Sequence, residues 1–509
     1  MERKWWTLVA VCVATFMLLI DITVVNVALP AIQSDLDASL SSLQWVVDAY
    51  SLTLAAFLLT AGSLADRLGR RRVFTFGLGL FTFASLLCGI SGDATLLNLA
   101  RALQGVGGAA MFATALALIA QEFQGPERAT AIGAWGATIG GAVAVGPLVG
   151  GLLTDGLGWE WIFFVNVPIG IAGIALTLTR LANVTASDPQ PIDWLGLITF
   201  SAGLFGLVYG LIRGNPDGWS SAPILASLIG AAVLLVAFFV LELRQEHAML
   251  DLTLFRKPAF AGVSVVAFAL SAGMFSMFLY LTLYIQDVQG FSPLEAGLRF
   301  LPITLLSFFV APIAGKLSDR VPVRFLLGIG LILVGTGLIL MRGIHVSDEW
   351  TTLLPGFLAA GVGIGMVNPG IASTAIGVVP AARAGMASGI NNTFRQVGIA
   401  TGVAALGAIF QSQVTSKLSE LAPQAPSTFA DAVSSGAISQ AVAHAPPQFR
   451  DQALAAADQA FVSGLNEILL VGGLVALIGG AVGLLVVRSR DFVPHAAPEA
   501  APEAAPAAG

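Results

Sequence analysis

The chain has 509 residues, of which 56% are hydrophobic and 11% charged, and its formal net charge is -6. Soluble domains carry about 25% charged residues, and the mean hydropathy here is +0.85. That composition excludes a soluble globular domain and points to a polytopic membrane protein, in which the position of each charge relative to the bilayer matters more than the net charge.

A membrane span needs about 20 mostly apolar residues. By that rule fourteen segments qualify, near 7–31, 44–65, 73–92, 95–119, 130–153, 159–180, 194–213, 221–243, 259–285, 293–316, 323–342, 352–376, 384–411 and 461–488. The N-terminus, Met1-Glu2-Arg3-Lys4, has the charge of a signal peptide. The apolar run behind it is too long for one, and it reads as a first transmembrane helix with its basic end inside. With the N-terminus inside, most of the 24 Lys and Arg fall on the inner side. Arg213, Arg342, Lys417 and Arg450 fall outside, and Arg101, Arg299 and Arg395 fall within spans. This bias supports an even number of spans and two cytoplasmic termini. Residues 412–460, rich in Ala, Gln and Ser, read as a long, partly helical external loop. Residues 491–509 read as a disordered cytoplasmic tail. Cys12 and Cys88 lie inside apolar runs as lone thiols, and no disulfide framework is offered.

A faint repeat relates Gly62-Ser63-Leu64-Ala65-Asp66-Arg67, after the second span, to Gly315-Lys316-Leu317-Ser318-Asp319-Arg320, after the tenth. It predicts an all-α fold of two six-helix bundles, 1–181 and 259–490, with a helix pair inserted at 182–258. Paired halves of this kind are a feature of transporters.

The polar residues inside the spans carry the functional information. Asp21 lies in the first span, where a carboxylate costs at least ~2.5 kcal/mol on insertion scales and generally meets a proton, an ion or a substrate. Asn26 follows on the same segment. Arg101 and Gln104, with Gly105 and Gly108, fall on one face of the fourth span at spacings of three, four and seven. Counting about 1.5 Å per residue puts Asp21 about 15 Å and Arg101 about 9 Å from the outer ends of their spans, which permits a pair. The stretch Gly62 to Arg72 holds Gly62, Asp66, Arg67, Gly69, Arg70 and Arg71. It reads as a tight inner turn with a gating role, its glycines supplying conformational freedom and Asp66 able to face a helix N-terminus. In the fifth span, Gly146 and Gly150, with Pro147 and Gly151, form a small-residue face for close helix contact. Asn391, Asn392 and Arg395 in the thirteenth span are candidate cavity-lining residues. Asp48, Glu295, Arg299 and Glu467 lie nearer the outer ends and read as structural.

Other chemistries find no support. Gly105 to Ala110 fits a dinucleotide fingerprint, but no strand or acidic ribose partner surrounds it. There is no phosphate-binding loop of the Gly-x-x-x-x-Gly-Lys type, and His247, His345, His444 and His495 are too scattered for a metal site. No catalytic residue, cofactor, metal or nucleic acid is expected.

Over residues 5–490 the chain resembles the major facilitator superfamily, and within it the fourteen-helix drug:proton antiporter family. The resemblance is carried by Leu19 to Pro30, by the Gly62–Arg72 stretch, by Arg101, Gln104, Gly105 and Gly107, by Gly146-Pro147 with Gly150-Gly151, and by Trp159 to Gly170. Two positions depart from the family pattern: Glu160 stands where Arg is usual, and Ala142 where Gly is usual. The resemblance implies a proton-coupled antiporter that exports hydrophobic or cationic drugs across the cytoplasmic membrane by alternating access. It assigns proton coupling to Asp21 and Arg101, gating to Asp66 beside the N-terminus of span thirteen, and the antiporter motif to Gly146, Pro147, Gly150 and Gly151. A dedicated exporter of one metabolite, a lipid exporter and a solute:proton symporter are the alternatives. The expected partners are small hydrophobic or cationic substrates, protons and membrane lipids, and a periplasmic or outer-envelope partner is left open.

Overall fold

The computed structural model describes residues 2–492, apart from residues 39, 183–191, 246–249, 319, 381, 382, 435, 437, 439–441 and 443–445. The expected tail from residue 493 onward, and Asp319 of the repeat, therefore lie outside the described residues. In a bilayer each backbone N–H and C=O must be paired within its own segment, and the apolar runs form long helices. They are α1 (Arg3–Asp35), α2 (Leu40–Leu68), α3 (Arg70–Gly89), α4 (Ala94–Glu122), α5 (Gly125–Leu157), α6 (Trp161–Phe164), α7 (Asn166–Arg180), α8 (Trp194–Asp217) and α9 (Ala222–Glu242). Then come α10 (Pro258–Leu270), α11 (Met277–Leu283), α12 (Pro293–Arg299), α13 (Leu301–Leu317), α14 (Val323–Leu340), α15 (Leu354–Gly377), α16 (Ala384–Leu421), α17 (Ser427–Ser434) and α18 (Arg450–Val486). Large apolar side chains such as Phe76, Leu152 and Leu485 point outward, as a lipid-facing surface requires.

Among the described residues, twelve helices are long and apolar enough to cross a membrane. This corrects the expected fourteen. The two expected segments not among the twelve are 130–153 and 293–316. The first lies within α5, a single unbroken 33-residue helix. The second breaks at Phe300 into a seven-residue α12 and a 17-residue α13. Pro302, at the start of α13, has no N–H to continue the preceding helix.

Two further expectations change. The stretch Gly62–Arg72 is almost wholly helical: α2 runs to Leu68, and Gly69 alone makes the turn, at φ 102°. The segment 412–460 is also substantially helical, because α16 extends to Leu421, α17 follows, and α18 starts at Arg450.

Helices α1 to α7 pack mainly on one another, and α10 to α18 do likewise. The two sets meet along a seam in which α5 lies on α13 and α2 lies on α16. Helix α8 packs on α9 and also touches both α2 and α16. Thr60 and Ser201 share a hydrogen bond of 2.8 Å, tying α2 to α8, and Asn215 Nδ2 donates to Ala404 O at 2.9 Å, tying α8 to α16. Only 17% of the membrane window of α9 is buried, so its surface is left to lipid. Between α10 and α11 the helix widens into a π turn, Ser271–Phe275, a local distortion often found at functional positions.

Lipid gives apolar helices no hydrophobic reason to associate, so close packing carries much of the attraction. On α4, a Cβ added to Gly107 would lie 2.6 Å from Phe81 N and 2.8 Å from Gly77 O, both backbone atoms of α3. At Gly79 of α3 the same addition meets nothing within 4 Å. Gly107→Ala should therefore destabilise the protein by about 1–3 kcal/mol through overpacking, whereas Gly79→Ala should be neutral or mildly stabilising through helix propensity. Thermal unfolding of the two variants in detergent checks the contrast, and equal effects would count against the close α3–α4 contact.

Candidate functional site

Five helices converge on Asp21. Burial leaves its side chain almost no solvent, and Arg101, Gln104 and Asn166 are equally enclosed. Arg101 Nη1 forms a short ion pair with Asp21 Oδ2. The other carboxylate oxygen accepts from Gln104 Nε2 at 3.1 Å and from Asn166 Nδ2 at 3.1 Å. Arg101 also donates from Nη1 to Gln104 Oε1 at 2.8 Å and from Nε to Val46 O at 2.9 Å. Its guanidinium lies 4.4 Å from the centre of the Tyr50 ring. Gln104 uses all its capacity: Nε2 additionally donates to Ser85 Oγ at 2.8 Å, and Oε1 accepts from Cys88 Sγ at 3.3 Å.

The sequence pairing of Asp21 with Arg101, and the placing of Gln104 beside Arg101, thus describe real neighbours. Asn166, Ser85, Cys88 and Tyr50 were not singled out as site residues. Asn166 carried a readable signal, a polar residue inside the sixth apolar run, but its partner lies 145 positions away. Local spacing cannot supply that contact.

One side of this node is open to a cleft of about 530 Å³ between α1, α5 and the α6–α7 segment, bordered by Asp21 and Asn166 and walled by Phe16, Ile20, Val149 and Ile162. On the same helices, a Cβ added to Gly146 would lie 1.7 Å from Thr23 Oγ1, and one added to Gly150 would lie 3.1 Å from Val24 O. Both glycines therefore face α1, as the small-residue pattern predicts. Gly151 faces open space. The side chains of Asn26 and Pro147 lie outside the described residues.

A second polar cluster lies where α2 meets α16. Asp66 accepts from Gly385 N at 3.1 Å and from Met386 N at 2.8 Å, so a carboxylate caps the positive end of α16. Arg70 donates to the same carboxylate from Nε at 3.3 Å and Nη2 at 3.2 Å, and from Nη1 to Ala117 O at 3.2 Å. Arg71 Nη2 donates to Leu178 O at 2.5 Å, and Arg67 is half-buried on α2. Gly62 is not a turn residue. It sits within α2, and a Cβ there would lie 2.4 Å from Gly385 O, so it permits backbone contact across the seam.

Farther along α16, Asn391, Asn392 and Arg395 are all buried. Asn392 Nδ2 donates to Ser388 Oγ at 3.4 Å. The Arg395 guanidinium lies 5.7 Å from the Phe275 ring centre. Among the described residues, no group of three or more His, Cys, Asp or Glu side chains is arranged to hold a metal.

The Major Facilitator Superfamily profile matches residues 11–403, well over half of the chain. The chain belongs to the Major Facilitator Superfamily. Membership makes it a multi-pass membrane transporter and not an enzyme. It is 33% identical over 501 residues, 96% of this chain and 92% of the relative, to the tetracenomycin C resistance and export protein of Streptomyces glaucescens. It is 37% identical over 414 residues, 81% of this chain and 77% of the relative, to the multidrug resistance protein Stp of Mycobacterium tuberculosis (strain CDC 1551 / Oshkosh). Among solved structures, the proton:xylose symporter XylE matches with a TM-score of 0.63 at 13% identity, covering 95% of this chain and 96% of that one. That likeness is one of superfamily fold.

The geometry of the Asp21 node sets its energetics. Two buried charges with well-formed hydrogen bonds tolerate each other, whereas removing one partner strands the other. Arg101→Ala should cost about 3–5 kcal/mol of stability, and Arg101→Lys, which keeps the charge without the planar fork, should cost less. Chemical or thermal unfolding of purified protein reads both, and an Arg101→Ala protein as stable as its parent would contradict the burial of the pair.

Proposed function

We propose that the protein is a proton-coupled antiporter that exports small lipophilic organic compounds across the cytoplasmic membrane by alternating access, with both termini on the cytoplasmic side. The observation that carries this reading is Asp21, a carboxylate held inside the membrane-spanning region by Arg101, Gln104 and Asn166 and bordering a cleft. Such a group is costly to keep, and a structural ion pair alone would not need to adjoin a cleft. Protonating Asp21 cancels the charge that Arg101 faces and loosens three helices at once. That couples proton uptake to the packing of α1, α4 and α7. The export and resistance functions named for relatives support the direction of transport.

The exchange needs two arrangements of the seam. In the structure α2 and α16 are in backbone contact at Gly62 and Gly385, with Asp66 on the α16 N-terminus. We assign this contact to the cytoplasmic gate, in its closed position, with Arg70 and Arg71 holding the Asp66 end of α2 and α3 in place. The two helix sets then act as the moving bodies, and α8 and α9 lie outside the path.

Proteoliposomes loaded with a lipophilic dye and given a pH gradient test the reading. Asp21→Asn should abolish gradient-driven dye movement; it also strands the Arg101 charge and lowers stability, so transport is compared per folded, reconstituted protein as judged by gel filtration. Undiminished transport by the Asn variant would remove Asp21 from the coupling role. Asp66→Ala takes the acceptor from two α16 N–H groups. Its transport rate should fall several-fold while dye binding in detergent is retained, and binding lost in proportion to transport would argue against a gate.

A further inference from the structure

Among the described residues, the buried arginines come with acids, with one exception. Arg70 faces Asp66, Arg101 faces Asp21, and Arg213 faces Asp217. Arg395 is buried to the same degree, at 8% exposure. Among the described residues its one recorded partner is the Phe275 ring. A guanidinium has five donors and cannot shed its charge. Leaving it in a low-dielectric interior without an anion is costly, and such a cost persists where function needs the charge.

The surroundings of Arg395 indicate where its partner comes from. Arg395, Gly398 and Gly402 share a face of α16 at spacings of three and seven. That face is pressed on the π-turn region: a Cβ on Gly398 would lie 2.6 Å from Phe268 O, and one on Gly402 would lie 2.5 Å from Ala272 O. The π turn ends at Phe275, which stands over the guanidinium. Phe275 also lines a small cleft with Phe278, Ser307 and Asn368, closed from across the seam by Ile139 and Gly140 of α5. Ser307 Oγ and Asn368 Oδ1 are buried there without hydrogen-bond partners, and so is Asn391 Nδ2, one turn before Arg395 on α16. Buried polar groups are ordinarily satisfied; Asn391 lies one turn from the cation on α16, and Ser307 and Asn368 line the cleft that Phe275 borders. The cleft has room for about one water, at about 20 Å³. It lies on the seam, so movement of one helix set against the other enlarges it. Asp21, by contrast, has both oxygens engaged, so a cationic ligand finds no free carboxylate there.

We propose that Arg395 is the counter-ion for the substrate, and that the transporter takes lipophilic aromatic compounds bearing an acidic group, a carboxylate or an ionised phenol. The anion sits against the guanidinium with Asn391 Nδ2 as a further donor, the aromatic body stacks on Phe275 and Phe278, and Asn368 Oδ1, an acceptor, is left for a hydroxyl or N–H of the substrate. This rests on the export reading above and narrows its substrate class.

Two aromatic dyes of similar size and opposite charge, fluorescein and ethidium, test it by binding to the full-length protein in detergent, followed by anisotropy, and by transport in proteoliposomes under a pH gradient. Arg395→Gln should lower the ratio of fluorescein to ethidium affinity at least about tenfold, the scale of a lost charge-assisted hydrogen bond. Arg395→Lys should restore part of that ratio. Arg395→Met should unfold at the same or a higher temperature than its parent, because it relieves an unpaired buried charge. Equal loss of both dyes, an unchanged ratio, or a lower unfolding temperature for Arg395→Met with both affinities reduced alike would overturn the proposal and make Arg395 structural. A parent protein that exports ethidium but neither binds nor exports fluorescein overturns it while the export reading stands. Arg395-dependent fluorescein binding without gradient-driven transport of either dye supports the anion site and sinks the export reading instead.

Discussion

Asp21 and Arg101 can occupy the interior of the α1–α7 set only because each neutralises the other, and the arrangement of five helices follows from that requirement. The carboxylate comes from α1 and the guanidinium and amide from α4. Asn166 of α7 and Ser85 of α3 extend the hydrogen bonds, and Val46 of α2 accepts from the guanidinium Nε. In an apolar medium every one of these polar atoms must be satisfied locally. The set therefore has one register in which all are paired, and a proton added at Asp21 acts on that register rather than on a single contact.

The seam between the two helix sets obeys a different rule. Its close contacts involve backbone as well as side chain: Gly62 against Gly385, Gly389 against Leu58, and Gly133 against Pro312. Backbone-to-backbone contact without long interlocking side chains can part and re-form at low cost. The charged contacts on it, Asp66 with two N–H groups of α16, stand at a helix end. Such a surface has the character of the contacts that switching interfaces use.

Much of this was readable from the chain itself. Hydropathy located the apolar helices, because length and composition suffice for that. It read 293–316 as one span, although that run is divided before Pro302. Depth along the helix correctly paired Asp21 with Arg101, since two lone charges in hydrocarbon have few options. The Gly146 and Gly150 spacing correctly gave a face, now seen against Thr23 and Val24. The role of Gly62 was misread because a turn and a close approach demand the same residue, and sequence does not say which. Asn166 and the isolation of Arg395 were hidden for a deeper reason: both depend on what lies across a gap of more than 100 residues. The absence of a partner is a property of the packed molecule alone.

Helix α8 gives the protein a front and a back within the membrane. By binding α2 through Ser201 and α16 through Asn215, it roofs one flank of the seam, and α9 lies over it as an outer layer. The other flank, where α5 meets α13, has no such cover among the described helices. Lipids and molecules dissolved in either leaflet therefore meet the seam from one direction only. On that flank the acyl chains of the bilayer press directly on the contact between α5 and α13. The bilayer thus meets one flank of the seam through a two-helix screen and the other with none among the described helices.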